Sequence, residues 1–254
     1  MLHNLSILVT RPIESSEILA SGLRMVGALP LVTPMIEIIG IEAGAIGLIK
    51  KDFDCAVFVS KNAVQFGLPV LAERGVSLKN KTIFAIGPKT ALALADFGIN
   101  KVISPNEVFN TEGLLDSSSF KLAIANKKGV LVFRATDGRE LLANTLRESG
   151  CNVEYFECYV RKISQNKIRA ELKRAGIEAP DVILVTSSGI LSALVTKIKQ
   201  ERLLGLLGVQ TIVLGERLVT KVLAEGFVEP PLVVNQLTND SIISCLVDWV
   251  KRRN

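Results

Sequence analysis

The chain has 254 residues, 48% hydrophobic and 22% charged, with 30 Lys and Arg against 25 Asp and Glu and a net charge of +5. That length and apolar fraction allow one large or two small folded domains, and with only 19 Gly and 9 Pro they exclude a disordered or collagen-like chain. The single histidine, His3, lies in the first few residues, which removes Ser-His-Asp and Cys-His catalysis and multi-histidine metal sites.

In chain order, residues 1–5 show no basic run ahead of an apolar one, so no secretory signal is expected and the cytoplasm is the expected compartment. Residues 7–10 are the first of six short, continuous apolar runs; the others are 56–59, 82–86, 130–133, 182–185 and 211–214. Strands covered on both faces of a parallel sheet read this way. A polar or Gly-containing turn and a segment with helical spacing follow each run. After the first, Ile18, Leu19, Leu23 and Val26 form the apolar stripe and Gly27 stops the helix. Repeated β-turn-α units predict an open α/β sheet. The most apolar stretch, 203–214, is too short to span a bilayer and contains Gln210. Its Leu203, Leu204, Leu206 and Leu207 read as core, with a contact surface as the alternative. Cys55, Cys151, Cys158 and Cys245 form no CxxC pair and sit in apolar runs, which reads as buried free thiols in a reducing compartment.

Sliding the chain by about 123 positions lays Arg11, Glu17, Leu19, Ala20, Leu23, Arg24 and Gly27 on Arg134, Glu140, Leu142, Ala143, Leu146, Arg147 and Gly150. With small shifts, 54–60 falls on 181–187 and Gly87 on Gly215. The protein is therefore built from two similar α/β halves, and a ligand site between them is expected.

Both halves carry a hydroxyl-rich turn that opens a helix, Ser60-Lys61-Asn62 and Thr186-Ser187-Ser188. Free backbone N–H groups at such a turn suit a carboxylate or phosphate, although each Ser serves equally as a plain N-cap. Gly87-Pro88-Lys89-Thr90 superficially resembles the end of a phosphate loop, but the intervening Pro and the missing upstream Gly argue against a nucleotide. Gly87 and Gly215 read as points of close approach or tight turning. Arg11 and Arg134 follow the first strand of each half, placed either to fork onto a carboxylate or to pair with a nearby Glu. Lys and Arg form no stripe with interleaved aromatics, so nucleic acid is not an expected partner. In residues 154–161, strand alternation puts Tyr155, Glu157 and Tyr159 on one face, where a phenol beside Arg161 is a proton donor or a sheet-edge tyrosine.

These residues resemble the uroporphyrinogen-III synthase family. The similarity runs from Val9-Thr10-Arg11-Pro12 through 58–64, 85–91, 111–114 and Arg134 with 138–142 to Cys158-Tyr159, 186–189 and 215–217. The resemblance implies two flavodoxin-like parallel-sheet α/β domains joined by a two-stranded connector near 33–39 and 154–161, with the active-site cleft between them. One domain would be residues 1–36 with 163–254, the other 37–162. It implies an enzyme that cyclises hydroxymethylbilane with loss of water and inversion of the terminal pyrrole ring. No cofactor or metal is implied, the small-molecule substrate is the expected partner without nucleic acid or membrane, and a monomer is expected. By the same resemblance Tyr159 is the general acid, and Arg11, Ser60, Asn62, Thr90, Glu112, Gly113, Ser187 and Gly215 are substrate-binding; the strand-end turns themselves add Gly87, Arg134 and Ser188 to the expected substrate-binding residues. Where the family often has a hydroxyl residue after the second Gly, this chain has Leu218-Val219. The alternative from another class is a two-lobed, non-catalytic binding protein for a small anion.

Overall fold

A computed structural model describes residues 2–45, 52–126, 128–236 and 238–253. In chain order the elements begin β1 (Ser6–Val9), α1 (Ile13–Met25), β2 (Leu29–Val32), β3 (Ile36–Gly40), β4 (Cys55–Phe58), α2 (Lys61–Glu73), β5 (Thr82–Ala85) and α3 (Pro88–Asp96). There follow β6 (Val102–Ile103), α4 (Thr111–Asp116), α5 (Ser118–Ile124), β7 (Gly129–Ala135), α6 (Leu141–Glu148), β8 (Asn152–Ile163) and α7 (Ile168–Ala175). The chain ends with β9 (Val182–Val185), α8 (Ser188–Gln200), β10 (Gln210–Leu214), α9 (Val219–Ala224), β11 (Leu232–Val234) and α10 (Asn239–Arg253). All six apolar runs are strands. β2, β6 and β11, which the sequence did not single out, are short edge strands.

The chain divides into two compact units, Met1–Glu37 with Lys162–Asn254 and Ile38–Arg161. It passes between them at Glu37/Ile38 and Arg161/Lys162, inside β3 and β8. The first unit holds a sheet in the order β11-β10-β9-β1-β2 and the second a sheet in the order β3-β8-β7-β4-β5-β6. Each strand pairing with a given register is parallel.

Numbered within the first unit, its order is 2-1-3-4-5, the flavodoxin-like arrangement. Matching β7, β8, β4, β5 and β6 to β1, β2, β9, β10 and β11 gives the second sheet the same spatial order, with the chain entering at a different point. That is the structural content of the sequence repeat. Helix α1 buries Leu19, Ala20 and Leu23, and α6 buries Leu142, Ala143 and Leu146 at the matched positions. Gly27 and Gly150, just past these helices, take φ of +85° and +83°, which favours glycine. Asp181 accepts the Ser6 N–H at 2.7 Å and its counterpart Asp54 accepts the Gly129 N–H at 2.9 Å, so the same carboxylate tethers the start of the neighbouring strand in both units.

Period-2 alternation sends successive strand residues into cores on opposite sides of each sheet. Ile7, Val9, Val182 and Leu184 pack with α1 and α10, whereas Leu8, Ile183 and Val185 pack with α7 and α8. In the second unit Phe58 and Phe133 stack at 4.1 Å between centroids on one side, and Phe84 meets Phe120 edge-on at 4.8 Å on the other. Such side chains contribute roughly 1.5–3 kcal/mol each by leaving water.

Three expectations are corrected. Ile18 is 67% exposed, because Ser16, Leu19, Ala20 and Leu23 already fill the buried stripe of α1. Among the four leucines of 203–207, Leu206 is buried and Leu203 and Leu207 pack against the core, but Leu204 is 60% exposed. Tyr155 and Tyr159 do not share a face. A bulge in β8 pairs Arg134 with Glu157 and the next residue, Ala135, with Tyr159, skipping Cys158. Tyr155 therefore packs beside Val153 on one side of the sheet, while Tyr159 joins Phe156 and Cys158 on the other.

Candidate functional site

In the second unit, the carboxyl ends of β4, β5 and β7 border a cavity of about 260 Å³. Its walls include Val59, Ile86, Thr111, Arg139, Tyr159 and Arg161. It lies where the sheet order reverses, with β4 and β7 adjacent but their connections leaving in opposite directions, as ligand sites of open α/β sheets do.

Ser60 lies two residues beyond the end of β4 and caps α2; its Oγ accepts the Ala63 N–H at 3.1 Å. The same hydroxyl stands 3.0 Å from the Tyr159 hydroxyl. Arg161 Nη2 donates to Tyr159 Oη at 3.4 Å, and Arg161 Nη1 pairs with Asp137 at 3.1 Å. The β8 bulge is what delivers the phenol to Ser60. Without it Tyr159 would point into the opposite core, with Tyr155.

Arg134, expected as a carboxylate binder, is only 3% exposed and fully engaged. Its Nε donates to the Ala135 carbonyl at 3.0 Å, Nη2 to the Gly138 carbonyl, and Nη1 pairs with Glu140 at 2.8 Å. The guanidinium also stacks 4.2 Å from the Tyr155 ring centroid. Tyr155 donates its hydroxyl proton to Glu140, and that bond followed by the one from Arg134 holds the Glu140 carboxyl below its usual range. Burial pushes the Tyr155 phenol up. A Cβ on Gly138 would meet the Arg134 guanidinium at 2.7 Å, so the loop carrying Asp137 and Arg139 closes tightly around this arginine.

Glu112 accepts from Arg139 at 2.6 Å, which lowers its carboxyl pKa and raises that of the arginine. Gly113 follows in α4, capped by Asn110 Oδ1 at 2.8 Å. Asn62 is half-buried in the first turn of α2, and Thr90 is buried in α3. Gly87 is extended and has room for no side chain, because a Cβ would stand 2.9 Å from Phe109 Cβ.

The remaining expected residues lie in the first unit at the equivalent strand ends. Ser187 caps α8 by accepting the Ile190 N–H at 3.2 Å, and Ser188 Oγ accepts from Lys221 Nζ at 2.9 Å. Gly215 takes φ +74° and ψ 153°, a region few other residues enter, and turns the chain out of β10. Arg11 is half-buried; its guanidinium makes no ion pair among the described residues, and burial lowers its pKa. Leu218 is buried in the core, which accounts for an apolar residue where a hydroxyl was expected. Sequence reasoning missed Asp137, Arg139 and Lys221 as polar partners of the site. The Asp137-Gly138-Arg139 turn directly after a strand was the available signal.

Comparison with known proteins gives a consistent answer. A family model described as uroporphyrinogen-III synthase HemD matches residues 17–243. The uroporphyrinogen-III synthase of Escherichia coli K12 is 31% identical over 252 residues, covering 95% of this chain and 100% of that protein. The Salmonella typhimurium LT2 enzyme is 31% identical over the same coverage. In fold, a crystal structure of a mutant uroporphyrinogen III synthase from the extreme thermophile Thermus thermophilus superposes with a TM-score of 0.59 at 16% identity, over 98% of both chains. The Helicobacter pylori uroporphyrinogen-III synthetase also gives 0.59, at 17% identity over 98% of this chain and 100% of that one. With a family match over most of its length and full-length relatives above 30% identity, the chain belongs to the uroporphyrinogen-III synthase family.

Proposed function

We propose that the chain closes hydroxymethylbilane to uroporphyrinogen III, using the second-unit cavity as part of its substrate site and Tyr159 as the source of the proton lost with the hydroxyl. The two compact units are taken as its two domains. The observation that carries the assignment of Tyr159 is its phenol, held at 3.0 Å from Ser60 and 3.4 Å from Arg161 beside a cavity at the strand ends. In this reading the pyrrole nitrogen expels the hydroxyl as water. The substituted α-carbon of the terminal ring is then attacked to give a spiro intermediate, and fragmentation and reclosure invert that ring.

The substrate supplies the electron push, so the protein's task is to hold the bilane folded and to move one proton. Positioning alone can remove several kcal/mol of barrier. Acidic substituents of the bilane are assigned to Arg11, which lacks an ion pair among the described residues, and to the N–H groups at the Ser60, Ser187 and Gly215 turns. Asn62, Thr90, Glu112, Gly113 and Ser188 remain candidates for the same role, while Arg134 is assigned to holding the 135–140 loop. No cofactor enters this scheme. The reading includes a cytoplasmic monomer with no nucleic-acid partner; among the described residues no helix is long and apolar enough to cross a membrane.

The test is to supply hydroxymethylbilane to the purified protein, oxidise the products and separate the type I and type III isomers. Predominant type III supports the reading. Type I alone, the product of unassisted closure, refutes it in favour of a binding protein. With activity in hand, Tyr159→Phe is expected to lower kcat by about tenfold or more, the scale of general-acid effects.

A further inference from the structure

Tyr159 is an awkward direct proton donor. Its side chain borders the cavity, yet the residue is 0% exposed, with the Arg161 guanidinium 5.7 Å from its ring centroid and the Phe66 ring 6.2 Å away. Ser60 does not itself line the cavity, but it directly follows Val59, which does; it is partly exposed and stands 3.0 Å from the phenolic oxygen. One Ser60 lone pair is occupied by the Ala63 N–H, which leaves the other to accept from the phenol and the Ser60 hydrogen free to point outward.

We propose that the phenol reaches the substrate through the Ser60 hydroxyl: Ser60 touches the leaving hydroxyl, and Tyr159 resupplies its proton. The inference rests on Tyr159 being the proton source. As the C–O bond of the hydroxymethyl group breaks, Ser60 Oγ–H gives its proton to the departing oxygen and takes the phenol proton. The products of the step are water, a cationic azafulvene and a tyrosinate. The Arg161 N–H, itself anchored by Asp137, stabilises that tyrosinate. The proton released when the terminal pyrrole ring regains aromaticity after ring closure restores the phenol, so the cycle closes with no other reagent. Burial of the tyrosine also keeps the reactive cation away from the aromatic ring.

Two substitutions at Ser60 separate relay from cap. Ser60→Asn keeps a carbonyl acceptor for the Ala63 N–H but has no hydroxyl to relay, and Asn caps helices about as well as Ser. Ser60→Thr keeps both functions. The expected results are a kcat loss of about tenfold or more in Ser60→Asn with KM changed by less than about threefold, and recovery to within about threefold in Ser60→Thr. The double variant Ser60→Asn/Tyr159→Phe should be no slower than the slower single variant, since both cut one path. Near-normal Ser60→Asn beside an impaired Tyr159→Phe overturns the relay and returns the phenol to direct contact. Losses that multiply in the double variant overturn it as well, as does a Ser60→Thr as slow as Ser60→Asn. A Tyr159→Phe enzyme with normal turnover overturns the assignment of Tyr159 itself, and the relay with it. Thermal melts of each variant, expected to lie close to the parent, exclude unfolding as the cause.

Discussion

The repeat places Arg11 and Arg134 at matched positions, and their surroundings predict opposite behaviour when each is replaced by Ala. Arg134 is 3% exposed, donates to two backbone carbonyls, pairs with Glu140 at 2.8 Å and lies on Tyr155. Removing one partner of a buried ion pair costs about 3–5 kcal/mol, chiefly from the charge left behind. Here the partner left behind, Glu140, is 53% exposed and regains water, so that penalty does not arise; the loss comes instead from the Ala135 and Gly138 carbonyls stripped of a buried charged donor, roughly 3 kcal/mol in all. At about 2–4 °C per kcal/mol for a chain of this size, the melting transition should fall by roughly 6–12 °C. Arg11 has no ion pair among the described residues, and burial disfavours its charge, so Arg11→Ala should change stability by no more than about 0.5 kcal/mol. Its effect should instead appear as a raised KM for the acidic substrate. Differential scanning calorimetry and steady-state kinetics on the two variants decide the matter. An Arg134→Ala protein with an unshifted melt and a raised KM would show that the buried arginine is a ligand group, and a large stability loss in Arg11→Ala would show a structural partner for it.

Gly113→Ala would put a Cβ 1.9 Å from the Val108 carbonyl oxygen, a backbone atom with no side-chain rotation to relieve the clash. The turn must open, at an expected cost of about 2–3 kcal/mol, read as a lowered chemical-denaturation midpoint; an unchanged midpoint refutes the close approach. Burial pushes the Cys158 thiol up to about 12, so a thiol reagent at pH 8 should leave it unmodified in the folded protein and modify it in urea. The unfolded thiol loses its proton near 9.0 while the folded one keeps it to about 12, so the unfolded state binds fewer protons above pH 9 and stability falls over that window. Cys158→Ala, though less stable overall, should show a shallower decline between pH 9 and 11; an equal slope refutes this origin.

Burial on both faces made the central strands legible. A strand covered on each side by helices needs apolar residues at every position, and the runs at 56–59, 130–133 and 182–185 have them. The short strands β6 and β11 have only two and three residues, too few to form a run, and they exist because a central strand offers them an edge to pair with. Ser60 and Ser187 were readable as turn residues because capping chemistry is local.

The partners of Arg134 and Tyr159 were not local. Whether an arginine after a strand faces a ligand or its own protein depends on how a loop folds back. Gly138 and Glu140 bring that loop onto Arg134, while Arg11 has no such ion pair among the described residues. Period-2 reasoning put both tyrosines on one face, and a single unpaired residue, Cys158, moved Tyr159 to the other. The sequence by itself thus determined the α/β class, the duplicated layout and the family, since apolar runs, repeats and motif order are properties of the chain. Which hydroxyl meets the phenol and which arginine is left for a substrate were decided only in the tertiary structure, because bulges and loop closures are set by contacts between residues far apart in the chain.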